Sequence, residues 1–429
     1  MLPSTRKDEC IYPVPKFDMR ASDVEDFLDE LEGFHEHFSD CFQRSESRGH
    51  FFRYMVGQFS ELERKSIEPI ALSVEDGRVR AMQRFISDAP WDDDRIMSKY
   101  RSLVNEDLGS PHGALIFDES GFVKKGDESI GVRRQYCGTV GKVENCQVGV
   151  FAAYVSEYGY SLVDKRLFIP KQWFCDEYQE RREKCKLSES VLFKTKPQLA
   201  AEMLSDIATE KVLPFKYVLA DSLYGMSPEF IEVVESLPGV RYFVAIKENT
   251  LCWVQRPVTI EKHYTYRGEV RTKTVLADTS RKPVEVSTLA KNINDYFWYR
   301  RQVSEGAKGP IVYEFTRRKV VLSHSGLPEK PVWLIVRRTI DDNPKYAYFI
   351  SNAPESTRLP VFVWLSGLRW AIEQCFEETK TELGMDHYEV RKYPGWHHHI
   401  LTCMLAHFFL WHLKIRLGKK STSHYAVAA

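Results

Sequence analysis

The sequence has no long hydrophobic run, and its first residues do not show the pattern of a signal peptide. No stretch approaches the roughly 18 consecutive apolar residues that a membrane-spanning helix needs. The N-terminal residues, MLPSTRKDECIYPVPKF, lack the apolar core of a secretory signal. We therefore expect a cytoplasmic protein without a membrane partner.

Cysteine motifs are absent as well. The chain has nine cysteines, an odd number, and none of them forms a CxxC pair or has the spacing of a zinc site. The expectation is that these cysteines are reduced, structural thiols, as in most cytoplasmic proteins.

The chain also has no net charge, because 60 Lys and Arg residues balance 60 Asp and Glu residues. By itself this balance gives no reason to expect a polyanionic partner. It is uneven along the chain, however, since residues 251–345 contain 18 Lys and Arg against 10 Asp and Glu. Such a local excess favours binding to a polyanion, and a solvated β-rich insertion is the alternative.

Length and composition indicate a globular protein of two or three domains. The 429 residues are 43% hydrophobic and 13% aromatic, enough for a substantial core. The apolar patterns predict an α/β fold in which helices pack on a mixed sheet. They divide the chain into a helical segment 1–110, alternating strands and helices in 111–250, the basic β-rich segment 251–345, and a last strand with helices in 346–429. Asp23 is the predicted N-cap of the first helix. The patterns also predict a hairpin that turns at residues 157–159, a helix over residues 171–186 and another helix after Pro197.

Two short apolar strands are each predicted to end at an aspartate. Residues 114–117 precede Asp118 and a glycine-containing loop, and residues 215–220 precede Asp221. Ligand groups in α/β proteins commonly lie at the carboxyl ends of strands, so neighbouring strands would bring these acids to one edge. For each aspartate alone, capping of a turn or helix is the alternative.

A predicted helix near the C-terminus carries an acid between two cations. Glu373 follows Arg369 by four residues and Lys380 follows Glu373 by seven, which places the three within roughly 40° on one helical face. Such a face can hold a metal ion through its acid and phosphates through its cations. Ordinary ion pairs on a solvated helix are the alternative.

Asp118, Asp221 and Glu373 together form a candidate metal site. Clustered carboxylates repel one another unless a cation is bound, and oxygen ligands without Cys or His favour Mg²⁺ or Mn²⁺. A pair of such ions activates the attacking oxygen and stabilises the leaving oxygen in phosphodiester chemistry. The histidines of the apolar C-terminal helix are assigned to packing and polar surface rather than to metal binding. They are His397, His398, His399, His407 and His412.

These residues lie in segments that resemble the DDE-type transposases of bacterial insertion sequences, most closely the insertion-sequence 701 family. The resemblance runs from about Asp118 to Ile400, and many matched segments in the same order make it more specific than a single motif. The matched segments are residues 117–126, 134–151, 193–200, 220–225, 369–373, 383–391 and 395–399.

The resemblance implies a ribonuclease-H-like catalytic core with Asp118, Asp221 and Glu373 as its metal-binding triad. It implies two Mg²⁺ or Mn²⁺ ions per active site. It also implies that residues 251–345 are an inserted subdomain that holds transposon-end DNA.

In related transposases the third acid lies in a Tyr-x2-Arg-x3-Glu-x6-Lys signature. Arg369, Glu373 and Lys380 fit this spacing, but Ser366 occupies the tyrosine position. A tyrosine-to-phosphate contact therefore cannot be carried over to this chain.

The expected activity is that of a DNA transposase that cleaves at the ends of its element and joins the 3′-hydroxyl ends to target DNA. The expected partners are double-stranded DNA, as inverted-repeat ends and as target, and further copies of the chain in a dimer or higher oligomer on DNA. The expected location is the nucleoid in the bacterial cytoplasm, and residues 1–110 are expected to help bind DNA ends. The candidate DNA contacts are Arg369, Lys380, Lys124, Lys125, Arg300, Arg301, Arg317 and Arg318.

Two alternatives remain open. One is a ribonuclease-H-like DNA nuclease that does not transfer strands. The other is a DNA-binding protein whose catalytic activity has been lost.

Overall fold

A computed structural model describes residues 26–267, 269–306 and 309–425. The chain forms two compact units, and each is described by itself. Among the described residues, the first unit comprises residues 26–216 and 369–425, and the second comprises residues 217–368. The predicted N-cap Asp23 lies outside the described residues.

The first unit begins with five helices that enclose an aromatic core. Phe34, Phe51 and Tyr54 are fully buried, and Asp92 caps the fifth helix by accepting a hydrogen bond from the backbone N–H of Arg95 at 3.1 Å. The helical character predicted for this part of the chain is therefore confirmed. The helices are α1 (Phe27–Glu36), α2 (Ser45–Gln58), α3 (Ile67–Ser73), α4 (Val79–Ser87) and α5 (Asp93–Leu108).

Four antiparallel strands follow in the first unit. The long strand β3 pairs with β1 along one edge and with β2 and β4 along the other. The hairpin predicted around residues 157–159 is the β3–β4 connection, and its strands are buried almost throughout. The strands are β1 (Ala114–Val123), β2 (Arg133–Cys137), β3 (Lys142–Ser156) and β4 (Gly159–Phe168).

The segment after β4 differs from its predicted form. A helix was expected over residues 171–186, but the chain makes two short 3-10 turns and then α6 (Gln179–Lys184). The next helix, α7 (Lys196–Glu210), was expected after Pro197 and begins one residue before it. It starts with a capping box in which the side chains of Thr195 and Gln198 bond each other's backbone N–H groups.

The second unit contains a larger sheet. Its strands run in the order β10-β7-β12-β13-β14-β6-β5, with β11 also paired to β12, while β8 and β9 form a separate hairpin. Strands β5 and β6 are parallel, and the other pairs are antiparallel. The elements are β5 (Tyr217–Ala220), α8 (Ser222–Gly225), α9 (Pro228–Ser236), β6 (Arg241–Ile246), β7 (Leu251–Trp253), β8 (Thr259–Tyr266), β9 (Glu269–Leu276), β10 (Val284–Glu285), α10 (Val286–Lys291), β11 (Tyr299–Gly306), β12 (Gly309–His324), β13 (Leu327–Arg338), β14 (Tyr346–Ser351) and α11 (Leu359–Leu368).

Two helices, α12 (Trp370–Thr381) and α13 (Tyr393–Tyr425), complete the first unit. Residues Tyr393–Gly418 are long and apolar enough to cross a membrane, but 67% of their most apolar window is buried inside the protein. Trp396, Phe408 and Trp411 are at most 1% exposed. We therefore interpret α13 as a core helix that packs on β4, α4 and α2.

The predicted fold class is confirmed. Large sheets carry helices in both units, and the N-terminal part is helical. Along the chain, the antiparallel strands β1, β3 and β4 precede α7 and the parallel pair β5 and β6. This is the element order of a ribonuclease-H-like core.

Candidate active site

Asp118 lies within a strand rather than at its end. The predicted strand stopped at Phe117, but β1 pairs with β3 without a break from Ala114 to Val123. The prediction of a loop after Asp118 is therefore wrong, because the backbone continues to find hydrogen-bond partners on β3. The Asp118 side chain is 17% exposed, and its Oδ1 accepts a hydrogen bond from the backbone N–H of Glu119 at 2.8 Å.

Arg369 links Asp118 to Glu373. Its backbone is already helical at the start of α12, with φ −57° and ψ −26°, so the predicted four-residue spacing is preserved. Its Nη2 lies 3.4 Å from Asp118 Oδ2 and 3.8 Å from Glu373 Oε1. The two carboxylate oxygens are consequently at most about 7 Å apart. The structure thus brings these three predicted site residues of the first unit together.

The Lys380 side chain also contacts β1, but its ammonium group is held by protein atoms. Its Nζ donates hydrogen bonds to Gly121 O and Thr139 Oγ1, both at 3.0 Å, and lies 5.1 Å from the centre of the Phe122 ring. Burial lowers its pKa. Lys380 therefore anchors α12 to β1, and its predicted role in binding phosphate stays a prediction.

A buried polar cluster that the sequence did not reveal supports the same helix. Glu378 on α12 accepts a hydrogen bond from Tyr160 at 2.8 Å, and its other oxygen lies 2.7 Å from His407 Nε2. Burial raises the pKa of Glu378, but the hydrogen bonds from His407, Tyr160 and Gln374 outweigh it, so the pKa is lowered. These contacts hold α12 against β4 and α13. No local motif could have marked Glu378, since Tyr160 and His407 are 218 and 29 residues away from it in sequence.

The C-terminal histidines have protein partners. His399 lies 2.8 Å from the Tyr54 hydroxyl and 3.2 Å from Met385 O, and burial lowers its pKa to about 3. His398 lies 2.8 Å from Ile86 O, and His412 lies 2.6 Å from Asp107 Oδ2. These contacts hold the three side chains in the core of the first unit, and the assignment of the histidines to packing rather than to metal binding stays a prediction.

Asp221 stands at the end of β5 in the second unit, as predicted. Its Oδ1 accepts hydrogen bonds from the backbone N–H groups of Leu223 at 2.8 Å and Tyr224 at 3.4 Å, so it also caps α8. Gly225 allows α8 to approach β6 closely, because a Cβ there would lie 2.5 Å from Ala245 O. The position of the Asp221 carboxylate thus depends on the tight packing of α8.

The two lysines after Asp118 have different environments. Lys124 donates a hydrogen bond to Tyr388 O at 2.8 Å and lies 3.2 Å from the centre of the Tyr388 ring. Burial lowers its pKa to about 7. Lys125 is exposed. Of this predicted pair, only Lys125 lies at the surface in the manner that a phosphate contact requires.

The four predicted arginines of the second unit also differ from one another. Arg300 pairs with Glu314 at 3.0 Å, while Arg317 donates to Thr357 O and lies 4.5 Å from the centre of the Trp333 ring. Arg318 is exposed, and Arg301 is partly exposed.

A cavity of about 580 Å³ in the second unit is lined by Arg301, Arg317 and Arg318. Phe297 and Tyr299 also line it, and both are strongly exposed, whereas Trp253 and Trp298 are buried. The exposed aromatic side chains beside the arginines were missed.

A larger cavity of about 920 Å³ lies in the first unit. Its lining includes Trp91, Lys165, Tyr393 and His397, but none of the predicted site residues. Neither Asp118 nor Glu373 therefore lines this cavity.

Asp118 and Glu373 suit a hard divalent cation in donor type and charge. Both supply carboxylate oxygens, the ligands that Mg²⁺ and Mn²⁺ prefer. Between them lies the guanidinium of Arg369, which provides the positive charge that a metal ion would otherwise supply. Within either unit of the described structure, no three His, Cys, Asp or Glu side chains form a metal-binding group.

Comparison with known proteins relates the chain to nucleic-acid enzymes. Residues 37–310 match the family described as DDE superfamily endonuclease, a range that contains Asp118 and Asp221 and ends before Glu373. The chain is also 27% identical over 345 residues to the probable transposase for insertion sequence element IS701 of Microchaete diplosiphon. That alignment covers 80% of this chain and 77% of the relative.

Two solved structures are more distantly similar. One is the cryo-EM structure of the piggyBac transposase synaptic complex with hairpin DNA, with a TM-score of 0.40, 9% identity, and coverage of 90% of this chain and 72% of that chain. The other is the NurA nuclease from Sulfolobus solfataricus, with a TM-score of 0.28, 12% identity, and coverage of 69% and 86%. Neither score is high enough to support a statement about fold or function.

The family assignment rests on the sequence match, which spans more than half of the chain. It agrees with the resemblance read from the motifs around Asp118 and Asp221. The chain therefore belongs to the DDE superfamily of endonucleases.

Proposed function

We propose that this protein is a DNA transposase. It binds the ends of its mobile element, cleaves phosphodiester bonds there, and joins the freed 3′-hydroxyl ends to target DNA. Membership of the DDE superfamily of endonucleases and the similarity to a probable transposase support the proposal. The observation that carries it is the contact of Arg369 with both Asp118 and Glu373.

In this proposal Asp118, Asp221 and Glu373 are the metal-binding carboxylates. When bound, two Mg²⁺ or Mn²⁺ ions would supply an activated attacking oxygen and a stabilised leaving oxygen. Asp118 is held rigidly by β1, whereas the Glu373 side chain is 60% exposed and accessible to a substrate. Arg369 orients both carboxylates and offers its remaining N–H groups to a phosphate.

Double-stranded DNA is the proposed partner, both as element ends and as target. Arg301, Arg318 and Lys125 are the predicted contacts with the most accessible positions. Joining two ends to one target requires two active sites, so the active form on DNA is at least a dimer. The reaction takes place at the nucleoid, in the cytoplasm of a bacterium.

The test uses DNA that carries the inverted repeats flanking the gene, together with a target plasmid and Mg²⁺. The wild-type protein should cleave the ends and produce joined products. Glu373→Gln should reduce both by at least about 100-fold, because it removes a charged ligand from the reacting centre. Glu377→Gln is the matched control, since Glu377 is exposed on the same helix one turn further on, and it should retain wild-type activity.

The outcomes separate the alternatives. End cleavage without joined products would identify a nuclease that does not transfer strands. DNA binding without cleavage in Mg²⁺ or Mn²⁺ would identify a protein whose catalytic activity has been lost. Undiminished joining by a folded Glu373→Gln variant would remove Glu373 from the site.

A further inference from the structure

The cavity in the first unit, of about 920 Å³, has the size of a small-molecule site. Sites of this kind commonly have volumes of about 300–1,000 Å³. The walls come from the first half of α5, from β4, from the end of α7 and from the start of α13. Trp91, Met97, Tyr393 and Pro394 supply apolar surface, and charged residues supply most of the rest. The cavity therefore offers both apolar contact and specific polar contacts.

Most of the charged groups in this lining are already neutralised by ion pairs. The pairs are Arg101 with Asp164 and Glu210, Arg166 with Asp164 and Asp206, and Asp88 with Lys186 and Lys392. Asp94 is exposed to solvent. The charges that remain for a ligand inside the cavity are therefore those of Lys165 and Asp93.

Lys165 on β4 is a buried cation without a counterion. The residue is only 4% exposed, and no described residue forms a hydrogen bond or an ion pair with its ammonium group. Burial lowers the pKa of Lys165, and the charge of Asp93 is the largest influence that opposes this effect. A buried charge without a partner costs free energy, so this position favours an anionic group of a ligand.

Asp93 and His398 form the opposite kind of site, one that lacks a donor. His398 Nδ1 lies 2.8 Å from Ile86 O and must carry the hydrogen, because a carbonyl oxygen only accepts. Burial lowers the pKa of His398, so the ring is neutral and its Nε2 is an acceptor. This Nε2 lies 3.7 Å from Asp93 Oδ1, which is buried and has no hydrogen-bond partner among the described residues. Two acceptors thus face each other, and a donor placed beside them would satisfy both.

We propose that this cavity binds a free α-amino acid with an apolar side chain. The carboxylate of the amino acid accepts a hydrogen bond from Lys165, and its ammonium group donates to Asp93 Oδ1 and His398 Nε2. The buried Nε2 of His397, which has no partner among the described residues, donates to the carboxylate in the tautomer that carries its hydrogen there. The side chain of the amino acid lies against Trp91, Met97 and the other apolar lining residues.

Other occupants satisfy only part of this lining. A simple anion would pair with Lys165 but leave Asp93 and His398 without a donor. An amine would reverse these contacts and be repelled by Lys165. A metal ion lacks a ligand set, since no three His, Cys, Asp or Glu side chains form a metal-binding group in the described part of either unit. A zwitterion supplies one charge of each sign to the two residues that need them.

The test titrates the wild-type protein with L-leucine, L-methionine and L-tryptophan at neutral pH, with binding followed by calorimetry. At least one of them should bind. Its N-acetyl derivative, which lacks the ammonium group, and its methyl ester, which lacks the carboxylate, should each bind at least about tenfold more weakly, because each loses a charge-assisted hydrogen bond. Binding of none of the three, or equal binding of an amino acid and both of its derivatives, would overturn the inference.

Two variants assign the contacts to residues. Lys165→Met should weaken binding of the amino acid about 10- to 100-fold but leave binding of the methyl ester unchanged. Asp93→Asn should weaken binding of the amino acid about tenfold but leave binding of the N-acetyl derivative unchanged. Lys171→Met and Glu106→Gln are the matched controls, since both residues are exposed and lie outside the lining, and they should keep the wild-type affinity.

Thermal unfolding without ligand checks the fold of each variant. Lys165→Met removes an unpaired buried charge, so its unfolding temperature should not fall. Equal weakening of the amino acid and of its methyl ester by a folded Lys165→Met variant would overturn the assignment of Lys165 to the carboxylate.

The inference does not depend on the proposed function, because the titration contains no DNA. A protein that joins DNA ends but binds none of the three amino acids would contradict only the ligand site. A protein that binds one of them but neither cleaves nor joins DNA would contradict only the proposed function.

Discussion

Replacing Arg369 with alanine should strengthen metal binding while it slows DNA cleavage. The Arg369 guanidinium lies 3.4 Å from Asp118 and 3.8 Å from Glu373. A divalent cation that binds these carboxylates must displace the guanidinium or tolerate its repulsion. Removing the guanidinium therefore removes a competitor for the metal ligands. It also removes the group that we propose to position phosphate, so the effects on metal affinity and on cleavage rate should have opposite signs.

The expected magnitude follows from the two contacts. The pair with Asp118 is mostly buried, and a hydrogen bond to a charged group of this kind contributes about 1.5–3 kcal/mol. The Glu373 side chain is 60% exposed, so solvent screening limits its contribution to about 1 kcal/mol or less. The two contributions together amount to about 1.5–4 kcal/mol, and about 1.4 kcal/mol corresponds to a tenfold change in affinity. Arg369→Ala should therefore bind Mn²⁺ about 10- to 1,000-fold more tightly than the wild type.

Free Mn²⁺ can be followed by its electron paramagnetic resonance signal during titration of the protein without DNA. Arg369→Lys is the control, because it retains a positive charge and should bind Mn²⁺ within about threefold of the wild type. Mn²⁺ binding by Arg369→Ala that is equal to or weaker than that of the wild type would refute the idea that the guanidinium and the metal compete for one site.

Three further predictions concern pH, packing and thiols. Because burial lowers the pKa of Lys124 to about 7, the unfolded chain binds one more proton than the folded chain from pH 7 to about 10. This lysine should therefore make stability rise by up to about 1.4 kcal/mol per pH unit in that window, and Lys124→Met should flatten the rise in unfolding temperature. Gly225→Ala should lower the unfolding temperature and impair end cleavage, whereas Gly126→Ala, whose new Cβ would have no neighbour within 4 Å, should do neither. Cys175 is the exposed thiol among the described cysteines. In a Cys10→Ser background, Cys175→Ser should therefore abolish fast labelling by a thiol reagent. Labelling that persists in this variant would contradict the burial of the other described cysteines.

Strand β1 and Asp118 show what a local sequence pattern predicts and what it does not. Residues 114–117 predicted β1, but not its continuation through Asp118. The strand continues because β3 offers backbone partners as far as Val123, and because Phe122 is buried beside Tyr388 and Trp396. Such long-range pairing leaves no periodic signal when polar residues and glycine follow an apolar run.

The helix predicted over residues 171–186 does not form over that whole range, for a related reason. Its apolar spacing was compatible with a helix, but the chain instead buries Trp173, whose Nε1 donates to Val132 O. Tertiary contacts of this kind override a weak local preference.

The sequence by itself determined the family, the strand-terminal position of Asp221 and the joint orientation of Arg369 and Glu373. These properties depend on residues a few positions apart, where a strand end or a helical turn sets the geometry. Only the tertiary structure decided the environments of Lys380 and Lys124. Their partners, Gly121 and Tyr388, are 259 and 264 residues away in sequence. Whether a long flexible side chain faces solvent or a buried carbonyl depends on how distant elements pack, and no local spacing contains that information.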